Sequence, residues 1–193
     1  MAMGTFSGDP HAIWLTEPGD DRRMQLLEAL EFVDPSGKSW LAPKDALIDG
    51  ASIPRALWTL VGSPYTGDYR RASILHDVAC DNAHGDAKLR READRMYYHG
   101  CRAGGCSIAE ATIQFIGVRI GALTPFVAVW TPSGIDRTGP QLQRSASDSR
   151  LEADFRQIAE MVFAPGETDD VDEIEGRVDA ALSRVTFLDA RRL

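Results

Sequence analysis

One histidine and two aspartates stand out as the residues of this sequence that could do chemistry. His76 and Asp77 are adjacent in a stretch that predicts a helix over residues 69–80, and Asp94 lies in a second predicted helix over residues 87–101. Adjacent residues on a helix point about 100° apart, so His76 and Asp77 must face different partners. The short loop between the helices predicts antiparallel neighbours, which makes Asp94 the natural partner of His76.

This pairing predicts a general base with a cation beside it. Asp94 would fix the tautomer of His76 and stabilise its charged form. Asp77 would then be free to bind a divalent cation, with backbone carbonyls of residues 49–50 or 62–67 as further oxygen ligands. An oxygen-rich set of this kind favours Ca²⁺.

A zinc site is the alternative arrangement. Imidazole and carboxylate ligands suit Zn²⁺, and the set would be His76, Asp77 and Asp94 with His84 or His99. Cys80 follows His76 by one helical turn and shares its face. We interpret this cysteine as small core packing rather than as a catalytic thiol.

A polar loop upstream of the helices, DGASIPR at residues 49–55, is the predicted third wall of the site. Asp49 and Gly50 form a turn signal. Asp49, Ser52 and Arg55 are the candidate substrate or loop residues. Ser52 is more typical of a helix cap than of a nucleophile, and no G-x-S-x-G motif occurs.

The elements that would position this site predict an α+β fold. Residues 5–60 are interpreted as β-rich, with a strand over residues 24–33, a turn at residues 34–38 and a return strand from residue 40, although propensity alone favours a helix at residues 24–33. A short helix follows at residues 54–61. A capping box, Ser107 to Glu110, opens a third long helix that ends near residue 120. Small antiparallel hairpins therefore pack on a helical core with an antiparallel helix pair.

Three segments are predicted along the chain. Residues 1–125 form the core domain, and residues 126–150, rich in Pro, Gly, Ser, Gln and Asp, form a linker or surface excursion. Residues 151–193 form a helical appendage, with helices over residues 151–163 and 171–188, that packs on the core or binds a protein partner.

The charge balance limits the classes of partner. The 193 residues carry 29 acidic and 21 basic side chains, a net charge of −8, which argues against non-specific nucleic-acid binding. Arg119 and Pro125 interrupt the apolar stretch at residues 113–130, so a buried helix followed by a strand or extended stretch is expected there rather than a membrane span. No N-terminal signal peptide is visible. We expect residence in the cytoplasm, with signal-independent export left open.

Several of these motifs in order resemble the family DUF1353. They are DGASIP, the His76–Asp77 pair, the Ala93–Asp94 pair and Val118–Arg119, and the resemblance covers residues 5–122. It implies a bacterial or phage protein without a settled function.

The helix pair is also similar, over about 30 residues, to that of secreted phospholipases of the A-two type. This similarity implies His76 as the base, Asp77 as a calcium ligand and Asp94 as the residue that orients the histidine. The disulfides of those enzymes have no counterpart among the three cysteines here.

The leading hypothesis is a metal-assisted hydrolase of ester or amide bonds in lipid or cell-wall material. The alternative is a non-enzymatic phage- or prophage-associated protein, in which the polar residues form a structural network that locks two helices. A delivered toxin, whose acidic C-terminal helices bind a carrier or an immunity partner, is the third hypothesis.

Overall fold

The fold is known from a computed structural model that describes residues 3–16, 23–123 and 146–185, and the structural statements below concern these residues. Strands come first and helices follow, which confirms the α+β class. The strands are β1 (Thr5–Phe6), β2 (Ala12–Trp14), β3 (Met24–Leu26), β4 (Leu30–Val33), β5 (Ser39–Ala42) and β6 (Leu47–Ile48). They form two antiparallel sheets with the orders β1-β4-β5 and β2-β3-β6.

The segment predicted as one strand over residues 24–33 is divided between the two sheets. Met24 and Leu26 of β3 are buried in one sheet, and Leu30 and Phe32 of β4 are buried in the other. The same side-chain alternation runs through both halves. A bend at residues 27–29 redirects the backbone between them, and local alternation does not reveal this bend.

The predicted hairpin turn is confirmed. One oxygen of Asp34 accepts hydrogen bonds from the backbone N–H groups of Ser36 (2.9 Å) and Lys38 (3.1 Å). Gly37 adopts φ 87°, which suits glycine. The other oxygen of Asp34 accepts from the Trp40 indole at 2.9 Å, so one side chain stabilises the turn and the start of β5.

The helical part begins with a 3₁₀ turn (Arg55–Leu57) that runs into the short helix α1 (Trp58–Val61). Ser52 does not cap it. Pro54 occupies the cap position, and no side chain there accepts a hydrogen bond. The longer helices are α2 (Arg70–Ala83), α3 (Ala87–Gly104), α4 (Ile108–Leu123), α5 (Ala146–Phe163) and α6 (Val171–Arg184).

The junction between α2 and α3 lies later in the chain than predicted. Helix α2 continues through Asp81 to Ala83, and left-handed conformations at His84 (φ 47°) and Gly85 (φ 86°) then reverse the chain. Asp86 caps α3 by accepting from the N–H groups of residues 88 and 89, at 2.8 and 3.0 Å. The two helices are antiparallel neighbours, as the short loop predicts.

The capping box of α4 is confirmed. The Ser107 N–H donates to the Glu110 carboxylate at 2.7 Å, and the Glu110 N–H donates to the Ser107 hydroxyl at 3.2 Å. Within the described ranges, no helix has the length and apolar character that a membrane crossing requires.

Helices α5 and α6 share a hydrophobic core with the earlier helices. Ile158 and Val178 are fully buried in the same cluster as Leu57 and Phe115. Helix α5 begins at Ala146, inside the segment predicted as a linker, with Asp148 in its first turn. Most of that segment, residues 126–145, lies outside the described residues, as does the end of the predicted helix at 186–188. The division into three segments stays a prediction.

Candidate functional site

Helices α2 and α3 bring His76 and Asp94 into contact. The Nε2 atom of His76 lies 2.8 Å from Oδ1 of Asp94, and both side chains are fully buried. The helices approach closely because Gly100 faces Ala72: an added Cβ at Gly100 would lie 2.8 Å from the Ala72 Cβ. The predicted partnership therefore exists, but in the interior of the protein.

Asp94 also binds two arginines that the sequence analysis did not place in the site. Its oxygens lie 3.2 Å from Nε of Arg90 and 3.2 Å from Nη1 of Arg119. Arg119 extends this ion-pair network to α6, because its Nη2 lies 2.9 Å from Asp179. Burial raises the pKa of Asp94, but the hydrogen bond from His76 and the two guanidinium groups outweigh it and lower the pKa.

The arginines around Asp94 also present hydrogen-bond donors without a partner. Among the described residues, Arg90 Nη2 and Arg119 Nε are buried without a hydrogen-bond partner. An unsatisfied buried donor costs roughly 1–3 kcal/mol, and native structures contain few of them. The stability of the fold alone does not explain why these two donors lack a partner. A further hydrogen-bond acceptor at this place would satisfy them.

Cys80 is the third member of the cluster around His76. Its Sγ lies 3.7 Å from Nδ1 and 3.5 Å from Nε2 of His76, and it is partly exposed. Burial lowers the pKa of His76, but the Cys80 sulfur and the Asp94 carboxylate outweigh it and raise the pKa to about 9. The spacing of one helical turn was the signal in the sequence, and our interpretation of Cys80 as plain core packing missed this contact.

Asp77 faces the loop rather than α3. Its Oδ2 accepts from the Asp49 N–H at 2.8 Å, and one turn earlier the Ser73 hydroxyl accepts from the Ala51 N–H at 2.8 Å. Burial, Asp49 and Asp81 raise the pKa of Asp77 well above its ordinary value. The structure thus joins Asp49 to Asp77, on a different face of α2 from His76.

Ser52 and Arg55, the other two predicted loop residues, have separate surroundings. The carbonyl of Ser52 lies against Gly121 of α4, where an added Cβ would overlap the oxygen. The exposed Arg55 lies over the Trp58 ring, 5.4 Å from its centroid. The tight contact at Gly121 holds the loop against α4, but neither residue belongs to the His76 cluster.

One cluster of side chains is a candidate metal site. In the described parts of the chain, one group of three ligand atoms lies within 4.8 Å of one another, from His76, Cys80 and Asp94. This set is a poor fit to Zn²⁺, because its carboxylate already binds two guanidinium cations and Nε2 of His76 faces that carboxylate. Asp77, His84 and His99 lie outside the group. Oxygen donors near Asp77 are of the kind that Ca²⁺ prefers, and a cation there stays a prediction.

Comparison with known proteins identifies relatives but no function. Residues 24–118 match the family model described as "Protein of unknown function (DUF1353)". Two similar proteins come from Sinorhizobium fredii (strain NBRC 101917 / NGR234). Uncharacterized protein y4jT is 35% identical over 104 residues, which are 53% of this chain and 30% of that protein. Uncharacterized protein y4iH is 34% identical over 113 residues, 56% of this chain and 46% of that protein. The chain thus spans less than half the length of each, and no solved structure matches.

Proposed function

We propose that this protein is a hydrolase of ester or amide bonds in lipid or cell-wall material. Its residues 24–118 match the DUF1353 family model, whose description gives no activity, so the proposal comes from the site itself. His76 is its general base and Asp94 orients it. The observation that carries the proposal is the 2.8 Å contact between His76 Nε2 and Asp94. Because Nε2 is hydrogen-bonded to Asp94, Nδ1 is the nitrogen that accepts a proton when the ring is neutral.

The surroundings of the pair support this assignment. Asp94 is held in place by two arginines, so its carboxylate fixes the ring orientation of His76. Because its pKa is raised to about 9, His76 is mostly protonated at pH 7, and it acts as a base through the neutral fraction, which grows as the pH rises toward 9. The unsatisfied donors of Arg90 and Arg119 also favour a site that a bound acceptor completes.

The second candidate function is a non-enzymatic structural role, and complete burial favours it. Neither His76 nor Asp94 has exposed surface, and a substrate must reach the group that attacks it. The charges that continue from Asp94 through Arg119 to Asp179 connect α3, α4 and α6. Under this proposal the network selects one packing of the helices, and it takes part in no reaction.

Hydrolysis assays distinguish the two candidates. The full chain is tested on nitrophenyl esters of short and long acyl chains, on phospholipid vesicles and on peptidoglycan. The variant His76→Gln is compared with His99→Gln, a partly buried histidine on the same helix pair but outside the cluster. Circular dichroism establishes that each variant is folded.

We expect wild type and His99→Gln to hydrolyse the same substrate, and a folded His76→Gln to lose at least about 100-fold in rate, as removal of a general base typically does. Full activity in a folded His76→Gln would end the hydrolase proposal. A wild-type protein that cleaves none of these substrates, together with a lowered melting temperature of His76→Gln, would support the structural role.

A further inference from the structure

Cys80 is the member of the His76 cluster that reaches solvent. His76 and Asp94 are buried, whereas Cys80 is partly exposed. A reactant from solution therefore meets the sulfur before it meets the imidazole. The sulfur is therefore an atom of this cluster through which the buried pair can act on an outside molecule.

The geometry around the sulfur is that of a thiol beside a fixed base. Cys80 follows His76 by one turn of α2, and its Sγ lies 3.7 Å from Nδ1, the nitrogen that Asp94 does not occupy, and 3.5 Å from Nε2. The imidazole is confined by Asp94 on one side and by Tyr97, whose ring centroid is 4.9 Å away. In its neutral form, a base held in this way can accept the thiol proton, and the thiolate is the nucleophilic form of cysteine.

We propose that Cys80 is the nucleophile of this site and that it takes acyl groups from esters or amides, which deepens and rests on the proposed hydrolase function. The sulfur forms a bond to the carbonyl carbon while its proton passes to His76. The bond from that carbon to the alcohol or amine then breaks, and the leaving group takes the proton from His76. Water, deprotonated by His76, cleaves the thioester, and the proton returns to Cys80.

The remaining cysteines provide internal references. Cys101 and Cys106 are 0% and 2% exposed, so a reagent that acts on the folded protein should modify Cys80 before either of them. Exposure alone would also produce that order. The reactivity of Cys80 must therefore be compared with thiols that are fully exposed and have no histidine beside them.

Alkylation with iodoacetamide tests the nucleophile directly. The folded full chain is treated at pH 7, and the rate at each cysteine is measured by mass spectrometry of peptides. The references are N-acetylcysteine and the variant Ser183→Cys in a Cys80→Ser background, since Ser183 is exposed on α6. In the reaction the sulfur–carbon bond forms, iodide leaves, and the thiol proton passes to the neutral form of His76.

We expect Cys80 to react about tenfold faster than either reference thiol, because an ordinary thiol is only a few per cent thiolate at pH 7. In His76→Gln the rate at Cys80 should fall to that of the references or below. A rate at Cys80 in the wild-type protein that does not exceed the references would overturn the proposal, and this comparison holds whether or not His76→Gln folds.

Activity assays separate this proposal from the hydrolase function. Loss of hydrolysis in a folded Cys80→Ser, together with an acyl adduct on Cys80 in rapidly quenched wild type, would support it. Hydrolysis that persists in Cys80→Ser would overturn the nucleophile and leave His76 to activate water. A fast, His76-dependent alkylation without hydrolysis of any substrate would support a reactive thiol and count against the hydrolase.

Discussion

Arg119 binds Asp94 with one terminal nitrogen and Asp179 with the other, at 3.2 and 2.9 Å. The two carboxylates differ in burial, because the Asp94 side chain is fully buried and that of Asp179 is 39% exposed. One guanidinium group thus joins the interior of the helix pair to the partly solvated surface of α6. This difference makes the two aspartates a matched pair for mutation.

Asp94→Asn should destabilise the protein strongly. The substitution keeps the size of the side chain but leaves His76, Arg90 and Arg119 without their shared anion. Removing one partner of a buried ion pair costs about 3–5 kcal/mol. Asp179→Asn should cost about 1 kcal/mol, because solvent screens the interaction of Asp179 with Arg119. The free energy of unfolding from urea titration measures both. Equal losses in the two variants would contradict the buried network.

Stability should fall from neutral to alkaline pH because of His76. Its pKa is about 9 in the folded protein and roughly 6.5 when unfolded. A raised histidine pKa contributes stability that is fully present below about pH 6.5 and is lost as pH rises through about 9. The loss should approach about 3 kcal/mol in wild type and be absent in His76→Gln. Urea unfolding of both proteins from pH 6 to 10 tests this, and parallel curves would refute it.

Asp77→Asn should stabilise the protein when no divalent cation is present. Burial, Asp49 and Asp81 raise the pKa of Asp77, so its ionised form is disfavoured in the folded state at neutral pH. Asparagine removes that charge, and its oxygen can still accept the Asp49 N–H. The melting temperature in chelator should therefore rise for Asp77→Asn but not for Glu160→Gln, an equal charge change at an exposed position of α5.

Calcium addition tests the predicted cation at Asp77. A cation that binds only the folded state raises the melting temperature by mass action. With millimolar Ca²⁺ in place of chelator, wild type and Glu160→Gln should gain stability and Asp77→Asn should not. Identical melting temperatures of wild type with and without Ca²⁺ would dismiss the cation.

Two helical glycines should respond to alanine in opposite directions. At Gly121 the new Cβ would overlap the backbone carbonyl of Ser52, whereas Gly176 on α6 has nothing within 4 Å. Overpacking costs about 1–3 kcal/mol, and an open helical site gains about 0.5–1 kcal/mol from the better propensity of alanine. Urea unfolding compares them. A neutral Gly121→Ala would mean that the loop at residues 51–54 is not fixed against α4.

A chain that ends at residue 125 should not form a stable folded monomer. It lacks α5 and α6, so the apolar surface that Ile158 and Val178 cover would be exposed to water. We expect aggregation or a broad thermal transition, measured by size-exclusion chromatography and circular dichroism against the full chain. A cooperative, monomeric fragment would instead support an independent core domain at residues 1–125.

Local patterns in the sequence determined much of the secondary structure. The alternation of apolar and polar residues from Met24 to Phe32 indicates buried strand faces. The capping box at Ser107 and Glu110 indicates the start of α4. The short loop between two helical patterns implied an antiparallel pair, and from this pair follows the contact of His76 with Asp94. Such features depend on residues within a few positions of each other, or on one short connection. They can therefore be predicted from the sequence.

Only the tertiary structure decided what surrounds that contact. Arg119 contacts Asp94, which lies 25 residues away in the sequence, and Asp179, which lies 60 residues away. The helix packing that brings these side chains together cannot be predicted from the local hydrophobic pattern of any one helix. The close approaches at Gly100 and Gly121 set how deeply the helices and the loop pack. In the complete packing His76 is buried and Cys80 is partly exposed, because burial depends on every element packed around a side chain rather than on its own helix.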